Sequence, residues 1–450
     1  MRPPGYGESQ PRLDDDRLPV ILVILDGLGD RAVPELGGRT PAEAAATPHL
    51  DALARAGCSG WHLPFGWGRA PASELSHWAM FGFADVPFPG RAVLEALGAG
   101  IEVTRDVAVT HAALRTSQTD GDRVWITGRA GPGDDADARA LLAQLQPLMA
   151  RHGATLRPLG SGGGGGGQAL LTFPEYPRAD ITDSDPFFED VHPWLQVCPT
   201  QASSGALARA VNELLLDARD LLNGSPINRE RSRRGLPPLA ILTTKWSGGR
   251  GDIPSFTEQV GVRGAAVTST GLYRGLATIL GMAQRHVPPI PDLAEDLRTR
   301  VAAAEELVGL GARFVHVHTK ATDDAGHSKR PRAKLAVIEA ADGGLAGLAA
   351  LAQRAVVAVT GDHATPSTGG VLHTGDPTPL VVAGPTVRPD PVTAFGEAPA
   401  AAGWYGRLRA DELLPLLFGH ANRPVFLGHR ATARATIALP DDPPAMPLRR

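Results

Sequence analysis

Hydrophobic positions along the chain fall into two rhythms. Continuous apolar, β-branched runs at Val20–Leu25, Phe314–His318, Ala355–Thr360 and Pro379–Val382 have the length of strands buried on both faces. Between and around them, helices are expected at Pro48–Ala56, Ser203–Leu222, Thr268–Met282, Leu293–Leu307 and Arg332–Ala352. The first of these opens on Thr47 in the N-cap position with Pro48 behind it. A strand at Leu239–Thr243, after Pro237-Pro238, resumes the alternation in the second half. Strands alternating with helices predict an α/β fold, a doubly wound and largely parallel sheet. From about Thr104 the rhythm shortens to Val107–Val109, Val124–Ile126 and Ala169–Leu171 around one helix near Ala136–Met149. That pattern reads as a smaller α+β domain at 104–203, inserted into a core made of 19–103 and 204–450. Residues 1–18 are polar and read as a disordered tail. Gly160–Gly167, glycine except for Ser161, lacks the Gly-Lys-Ser/Thr ending of a phosphate loop and reads as a mobile linker.

The apolar runs end on chemistry. Val20–Leu25 runs into Asp26-Gly27-Leu28-Gly29-Asp30, and Phe314–His318 leads to Thr322-Asp323-Asp324-Ala325-Gly326-His327. Ala355–Thr360 leads to Gly361-Asp362-His363, with His373 beyond. In open α/β sheets the chemistry sits past the strands' carboxyl ends, so these clusters meet at one rim. Carboxylates and imidazoles together are the ligands of a divalent transition metal. Gly27-x-Gly29-x-x-Ala32 fits a loose dinucleotide fingerprint, but Pro34 and Gly37-Gly38 follow where a helix must open. Ser73 lies where a loop becomes a helix; its hydroxyl is either a helix cap or a nucleophile whose helix amides favour a phosphate.

Composition narrows the classes. A formal net charge of −4 gives no argument for nucleic acid or membrane partners. Cys58 and Cys198 are too few for a disulfide framework or a zinc cage. No apolar run is long enough to span a membrane and the N-terminus lacks the apolar core of a signal peptide, so a cytoplasmic location is expected.

Further stretches complete a pattern: Leu36-Gly37-Gly38-Arg39-Thr40-Pro41, Thr47-Pro48-His49-Leu50-Asp51, Glu95-Ala96-Leu97-Gly98-Ala99-Gly100 and Lys320-Ala321-Thr322-Asp323. With the strand-end motifs and His373-Thr374-Gly375-Asp376, the chain resembles the archaeal-type cofactor-independent phosphoglycerate mutases of the alkaline phosphatase superfamily. The resemblance covers most of 19–103 and 204–390. It implies two divalent ions, Mn²⁺ or Zn²⁺ with Mg²⁺ or Co²⁺ as alternatives. Asp26, Ser73, Asp362 and His363 would hold one, and Asp323, His327 and His373 the other. It also implies that Ser73 takes a phosphoryl group and returns it to the other hydroxyl of a glycerate.

The departures bear on the substrate. The family's Pro-Gly-Ser-Asp-Thr-Ala-His reads Pro71-Ala72-Ser73-Glu74-Leu75-Ser76-His77 here, and its Ala-Phe-Arg-x-Asn reads Ala108-Val109-Thr110-His111-Ala112. Ile181-Thr182-Asp183-Ser184-Asp185-Pro186 is kept, but the family's next residue, His, is Phe187. The glycine-rich strand exit after Leu242 is Thr243-Thr244-Lys245-Trp246-Ser247. The substrate-gripping candidates left are Arg129, best matched to a family motif, with Arg115 and Arg123, and beside them Asp185, Lys245 and Lys320. The expected activity is interconversion of 3- and 2-phosphoglycerate. The alternatives are transfer of a phosphoryl or phosphonyl group to or from another glycerate-like acid, and a metal-dependent phosphatase or phosphodiesterase.

Overall fold

The structure is a computed structural model that describes residues 16–160, 166–186, 191–444 and 446–448. Most of the tail read at 1–18 and the middle of the glycine run lie outside the described residues, as does Phe187. The chain divides into two compact units, Met1–Phe88 with Pro254–Thr270 and Ala277–Arg450, and Pro89–Ile253 with Gly271–Leu276.

The first unit is built on an eight-stranded sheet. Its strands are β1 (Val20–Leu25), β2 (Cys58–His62), β9 (Gly264–Thr268), β10 (Ala283–His286), β11 (Phe314–Thr319), β12 (Val356–Thr360), β13 (Thr378–Ala383) and β14 (Gly406–Leu408), in the order β10-β9-β11-β1-β12-β13-β2-β14. β1 pairs in parallel with β11 on one side and β12 on the other, so it is central. All six β1 side chains are buried, as the unbroken apolar run requires, and each stabilises the fold by about 1.5–3 kcal/mol. β13 runs antiparallel to both β12 and β2, which makes the sheet mixed at that side while β9, β10, β11, β1 and β12 stay parallel. Helices Leu293–Gly309 and Pro331–Gly344 contribute Leu297, Ala304, Ile338 and Ala341 to the core beneath β1 and β11. A buried Lys334 ties the loop after β1 to the loop after β12. Its Nζ donates to the carbonyls of Gly29 (2.9 Å) and Thr365 (2.8 Å) and lies 3.1 Å from Asp30 Oδ2.

The second unit holds an antiparallel sheet of β3 (Ala108–Asp120), β4 (Arg123–Arg129), β5 (Thr155–Pro158), β6 (Gln168–Phe173) and β7 (His192–Pro193). β8 (Leu239–Gly249) pairs antiparallel with β3. Helices Asp135–Arg151 and Gly205–Gly224 cover it with Leu141, Leu145, Leu148, Leu207, Val211 and Leu214.

Several expectations change. The Ser203–Leu222 helix and the Leu239–Thr243 strand, placed in the core on sequence, pack in the second unit, because the β8 backbone bonds to β3. Thr268 ends strand β9, and the helix expected from it begins at Gly271. The Arg332–Ala352 helix is two, Pro331–Gly344 and Leu348–Leu351. Thr47 does not cap its helix with its side chain; the Asp342 carboxylate does so from another helix, accepting the His49 (3.2 Å) and Leu50 (2.8 Å) amides.

Glu95–Gly100 is more than a helix end with glycines. Helix Arg91–Gly98 crosses helix Gly271–Ile279 so closely that a Cβ on Gly98 would lie 1.8 Å from the Gly271 carbonyl oxygen. A Cβ on Gly275 would meet the Leu94 carbonyl oxygen at 1.8 Å. Backbone cannot yield as a side-chain tip can, so Gly98→Ala should lower stability by about 1–3 kcal/mol. The check is the urea midpoint; an unchanged midpoint contradicts the close crossing.

Candidate metal centre

β11, β1 and β12 are adjacent, and each carries its polar cluster just past its carboxyl end. Asp26 follows β1. Helix Ala321–His327 follows β11 and places Asp323 and His327 one turn apart, on one face. Asp362 and His363 follow β12. The helix Ser73–Trp78 brings the hydroxyl to the same place. Ser73 is its first residue and not its cap: Oγ lies 3.0 Å from His363 Nε2 and 3.4 Å from Asp26 Oδ1. That helix is pinned by Ser76, whose hydroxyl donates to the Asp362 carbonyl (2.8 Å).

Two groups result, and they contain all seven residues read as ligands. In the first, His363 Nε2 is 3.3 Å from Asp26 Oδ1 and 3.5 Å from Asp362 Oδ2, with Ser73 beside them. In the second, Asp323 Oδ1 is 3.1 Å from His327 Nε2 and 3.6 Å from His373 Nε2. The groups touch through His363 and His373, whose rings stack at 3.9 Å, and Asp323 also lies within ligand reach of Asp26 and His363.

The electrostatics fit a cation. Burial raises the Asp362 carboxyl, and the neighbouring Asp26 charge raises it further, to about 6. Asp362 Oδ2 is buried without a hydrogen-bond partner. Burial would raise Asp26 too, but hydrogen bonds from His318 and His363 outweigh it and hold that carboxyl well below the usual range. Asp323 is held low in the same way by His327 and His373 against its burial. Burial disfavours a charged His363, yet Asp362 and Asp26 raise it to about 9. His327 and His373 point Nε2 at each other across 3.3 Å. Acceptor atoms crowded together in a buried pocket, one carboxylate oxygen unbonded, are what a divalent ion satisfies.

Four supporting residues escaped the sequence reading. His318 Nε2 lies 2.9 Å from Asp26 Oδ2. His77 Nδ1 is 2.8 Å from the Ser73 carbonyl and 3.7 Å from Asp362 Oδ2. Thr322 donates its hydroxyl to the Asp26 carbonyl, and Thr365 to Asp323 Oδ1. For His318 there was a signal: His316 and His318 alternate with valines at the carboxyl end of a strand, which puts both on one face.

The substrate candidates lie mostly in the second unit. Lys320, in the first, pairs with Asp323 and lies 3.8 Å from Asp324 Oδ1. In the second, Arg115 Nε donates to Asp185 Oδ2 (2.8 Å), and Asp185 Oδ1 is 3.3 Å from His192 Nε2. Lys245 Nζ and the Arg91 guanidinium sit 4.2 and 3.9 Å from the centre of one indole, Trp246. Trp246 has φ +60, a left-handed backbone that a bulky residue rarely holds without reason. Arg129 and Arg123 are exposed on β4; Arg129 pairs in register with Arg115, and Arg123 with Asp120. His192, Arg91 and the indole were not singled out from the sequence.

A family model described as the metalloenzyme superfamily matches residues 18–418. The 2,3-bisphosphoglycerate-independent phosphoglycerate mutase 2 of Methanocaldococcus jannaschii is 30% identical over 440 residues, covering 94% of this chain and 97% of that one. The 2,3-bisphosphoglycerate-independent phosphoglycerate mutase of Pyrococcus abyssi is 34% identical over 419 residues, 90% and 97% of the two chains. The chain belongs to this phosphoglycerate mutase family of the metalloenzyme superfamily. Solved structures agree in fold. A Pyrococcus horikoshii protein superimposes with a TM-score of 0.73 at 29% identity, covering 92% of this chain and all of its own. The cofactor-independent phosphoglycerate mutase of Thermoplasma acidophilum gives 0.59 at 28% identity, with 90% and 99% covered. Among the described residues no helix is long and apolar enough to cross a membrane.

Burial, with the Arg115 and Arg91 charges, pushes Lys245 down from 10.5 to about 8 against the pull of Asp185 and Glu95. The sign follows: between pH 8 and 10.5 the unfolded chain binds the proton and the folded one does not, so stability rises with pH across that window. Below it the buried ammonium is a cost, of the order of 3 kcal/mol at most. Lys245→Met should therefore melt higher than wild type at pH 7, and the gap should narrow by pH 9.5. A gap that does not change with pH contradicts the depressed lysine.

Proposed function

We propose that the protein is a two-metal phosphoglycerate mutase that works through a phosphoserine at Ser73. The observation that carries this is the Ser73 hydroxyl, 3.0 Å from His363 Nε2 and 3.4 Å from Asp26 Oδ1, inside one ligand group and not spent on capping its helix. A serine alone cannot remove the barrier to phosphate monoester cleavage, which asks for accelerations up to about 10²¹-fold. Asp26, Ser73, Asp362 and His363 hold one divalent ion, and Asp323, His327 and His373 the second. The mixed Asp/His ligation suits Mn²⁺ or Zn²⁺. When bound, the ions supply charge stabilisation for the attacking and leaving oxygens of an in-line transfer.

The chain's own residues do the rest. The bond from phosphorus to one glycerate oxygen breaks as the bond to Ser73 Oγ forms, and the serine proton ends on the freed glycerate hydroxyl. The glycerate re-orients and its other hydroxyl takes the group back, which leaves Ser73 protonated again. Between the two transfers the glycerate must be kept from water. We assign this lid role, and the grip on the substrate's carboxylate, to the second unit through Arg115, Asp185 and Lys245, with Arg129. Lys320, pulled up in spite of its burial by the Asp26 and Asp323 charges, stays cationic and complements a phosphate.

A second reading keeps this chemistry and changes the acid. The Lys245–Trp246 stretch, where the family has glycines, carries an indole with two cations, Lys245 and Arg91, against its ring at 4.2 and 3.9 Å. That favours a relative acting on another small phosphorylated or phosphonylated glycerate-like acid.

Two experiments test the assignment. Ser73→Ala should keep the ion of Asp323, His327 and His373, hold the other more weakly, and lose at least about 10³-fold in an enolase-coupled assay on 3-phosphoglycerate, as removal of a nucleophile does. Retained turnover in that variant overturns the phosphoserine. Arg115→Ala should leave the metal content at two ions per chain while raising KM and the ratio of hydrolysis to transfer. Unchanged product ratios remove Arg115 from the grip; a wild-type protein that turns over a different acid and not 3-phosphoglycerate decides for the second reading.

A further inference from the structure

The motifs of both ligand groups close around a residue that is in neither, Thr365. Its backbone is held from two sides: the amide donates to the Gly29 carbonyl (3.0 Å), and the carbonyl accepts from Lys334 Nζ (2.8 Å). Two glycines of the ligand motifs make room for it. A Cβ on Gly27, beside Asp26 and at φ +62, would come within 2.4 Å of Thr365 Oγ1, and one on Gly326, beside His327, within 2.7 Å of its Cγ2. The side chain is fully buried.

Its hydroxyl has one hydrogen and two neighbours. Oγ1 is 2.7 Å from Asp323 Oδ1 and 3.2 Å from His363 Nδ1. A carboxylate only accepts, so the hydroxyl hydrogen goes to Asp323. Toward His363 the same oxygen can then only accept, so the hydrogen between them sits on Nδ1. That leaves Nε2, the nitrogen facing Ser73, Asp26 and Asp362, as the one that gives up its proton and turns its lone pair to an ion when one binds. A ligating imidazole needs this arrangement, with its far nitrogen donating to a fixed acceptor. Asp323 Oδ1, the other atom held by the hydroxyl, is the oxygen that faces His327 and His373.

We infer that Thr365 is a positioning residue for both metal sites at once: its single hydroxyl sets the tautomer of His363 in one and the orientation of the Asp323 carboxylate in the other. The inference rests on the metal reading of the centre, and it predicts that loss of the hydroxyl weakens both ions together.

The test is calorimetric titration of Mn²⁺ into chelator-stripped full-length protein, with melting curves in chelator as the measure of fold. Thr365→Val, which keeps the shape and removes the hydroxyl, should weaken each of the two ions by about 10–100-fold while melting within a few degrees of wild type. Thr365→Ser, which keeps the hydroxyl and removes the methyl, should bind both within about threefold of wild type, well inside the 10–100-fold expected of a lost supporting contact. A folded Val variant with unchanged affinities, or with only one ion weakened, overturns the inference. A Ser variant that is folded and metal-poor overturns it as well, whatever becomes of Val. Wild-type protein that takes up no Mn²⁺ or Zn²⁺ instead removes the metal reading itself.

Discussion

Asp26 and Asp362 share one dry pocket, and the rest of the centre answers that constraint. Neither has more than a trace of exposure, and each lies at the end of a strand that neighbours the other. Two carboxylates cannot both stay ionised there without positive charge or donors close by. The protein supplies part of this: His318 on the far oxygen of Asp26, the Gly27 amide on Asp362 Oδ1 (2.9 Å), and His363 between the two. What it does not supply, at Asp362 Oδ2 and between the facing His327 and His373 nitrogens, is the part a cation completes. Metal affinity and fold are therefore coupled, because ions that relieve buried repulsion bind the folded chain alone.

The parallel strands explain why the ligands are placed so tightly. β1 has a partner on each side, and no residue of β1, β11 or β12 is exposed. Asp26, Asp362 and Asp323 thus start from backbone that packing has already fixed. Long-range capping extends that rigidity outward, as with Asp342 on the Pro48–Ala56 helix and Lys334 bridging the loops after β1 and β12.

What could be read from the sequence follows the same physics. β1, β11 and β12 were legible because a strand buried on both faces must be apolar throughout, and the polar residue that ends each run is then conspicuous. β2, Cys58–His62, was not: with a serine, a glycine and a histidine it has no strand-like run, and it is held by pairing to β13 and β14. β8 was legible as a strand but not as to its sheet, since Leu239–Leu242 is equally apolar beside a parallel or an antiparallel neighbour. Seven ligand candidates were legible through resemblance, while Thr365 and His318 were not. Their roles are hydrogen bonds across dozens to hundreds of positions; alternation along β11 places His318 on one face of the strand, but no local pattern names the partner of either.

The same contrast bears on how substrate choice can change while chemistry persists. A candidate ligand just past β1 or β12 is buried among neighbours, so replacing it leaves either an unpaired buried charge or a void. Lys245, still buried, and Trp246 stand in the second half of β8, where burial loosens at Trp246 and Ser247. There an indole and two cations can replace a glycine-rich exit at the cost of one strained residue, Trp246 at φ +60, on the order of 1–3 kcal/mol. Strain of that kind persists only where surrounding contacts over-determine it, and the Asp183 carboxylate accepting the Trp246 amide (2.9 Å) is one of them. Packing therefore resists change at the candidate metal centre and permits it along β8, so this chain keeps the residues that match the family's ligand motifs while those proposed to grip the substrate depart from its pattern.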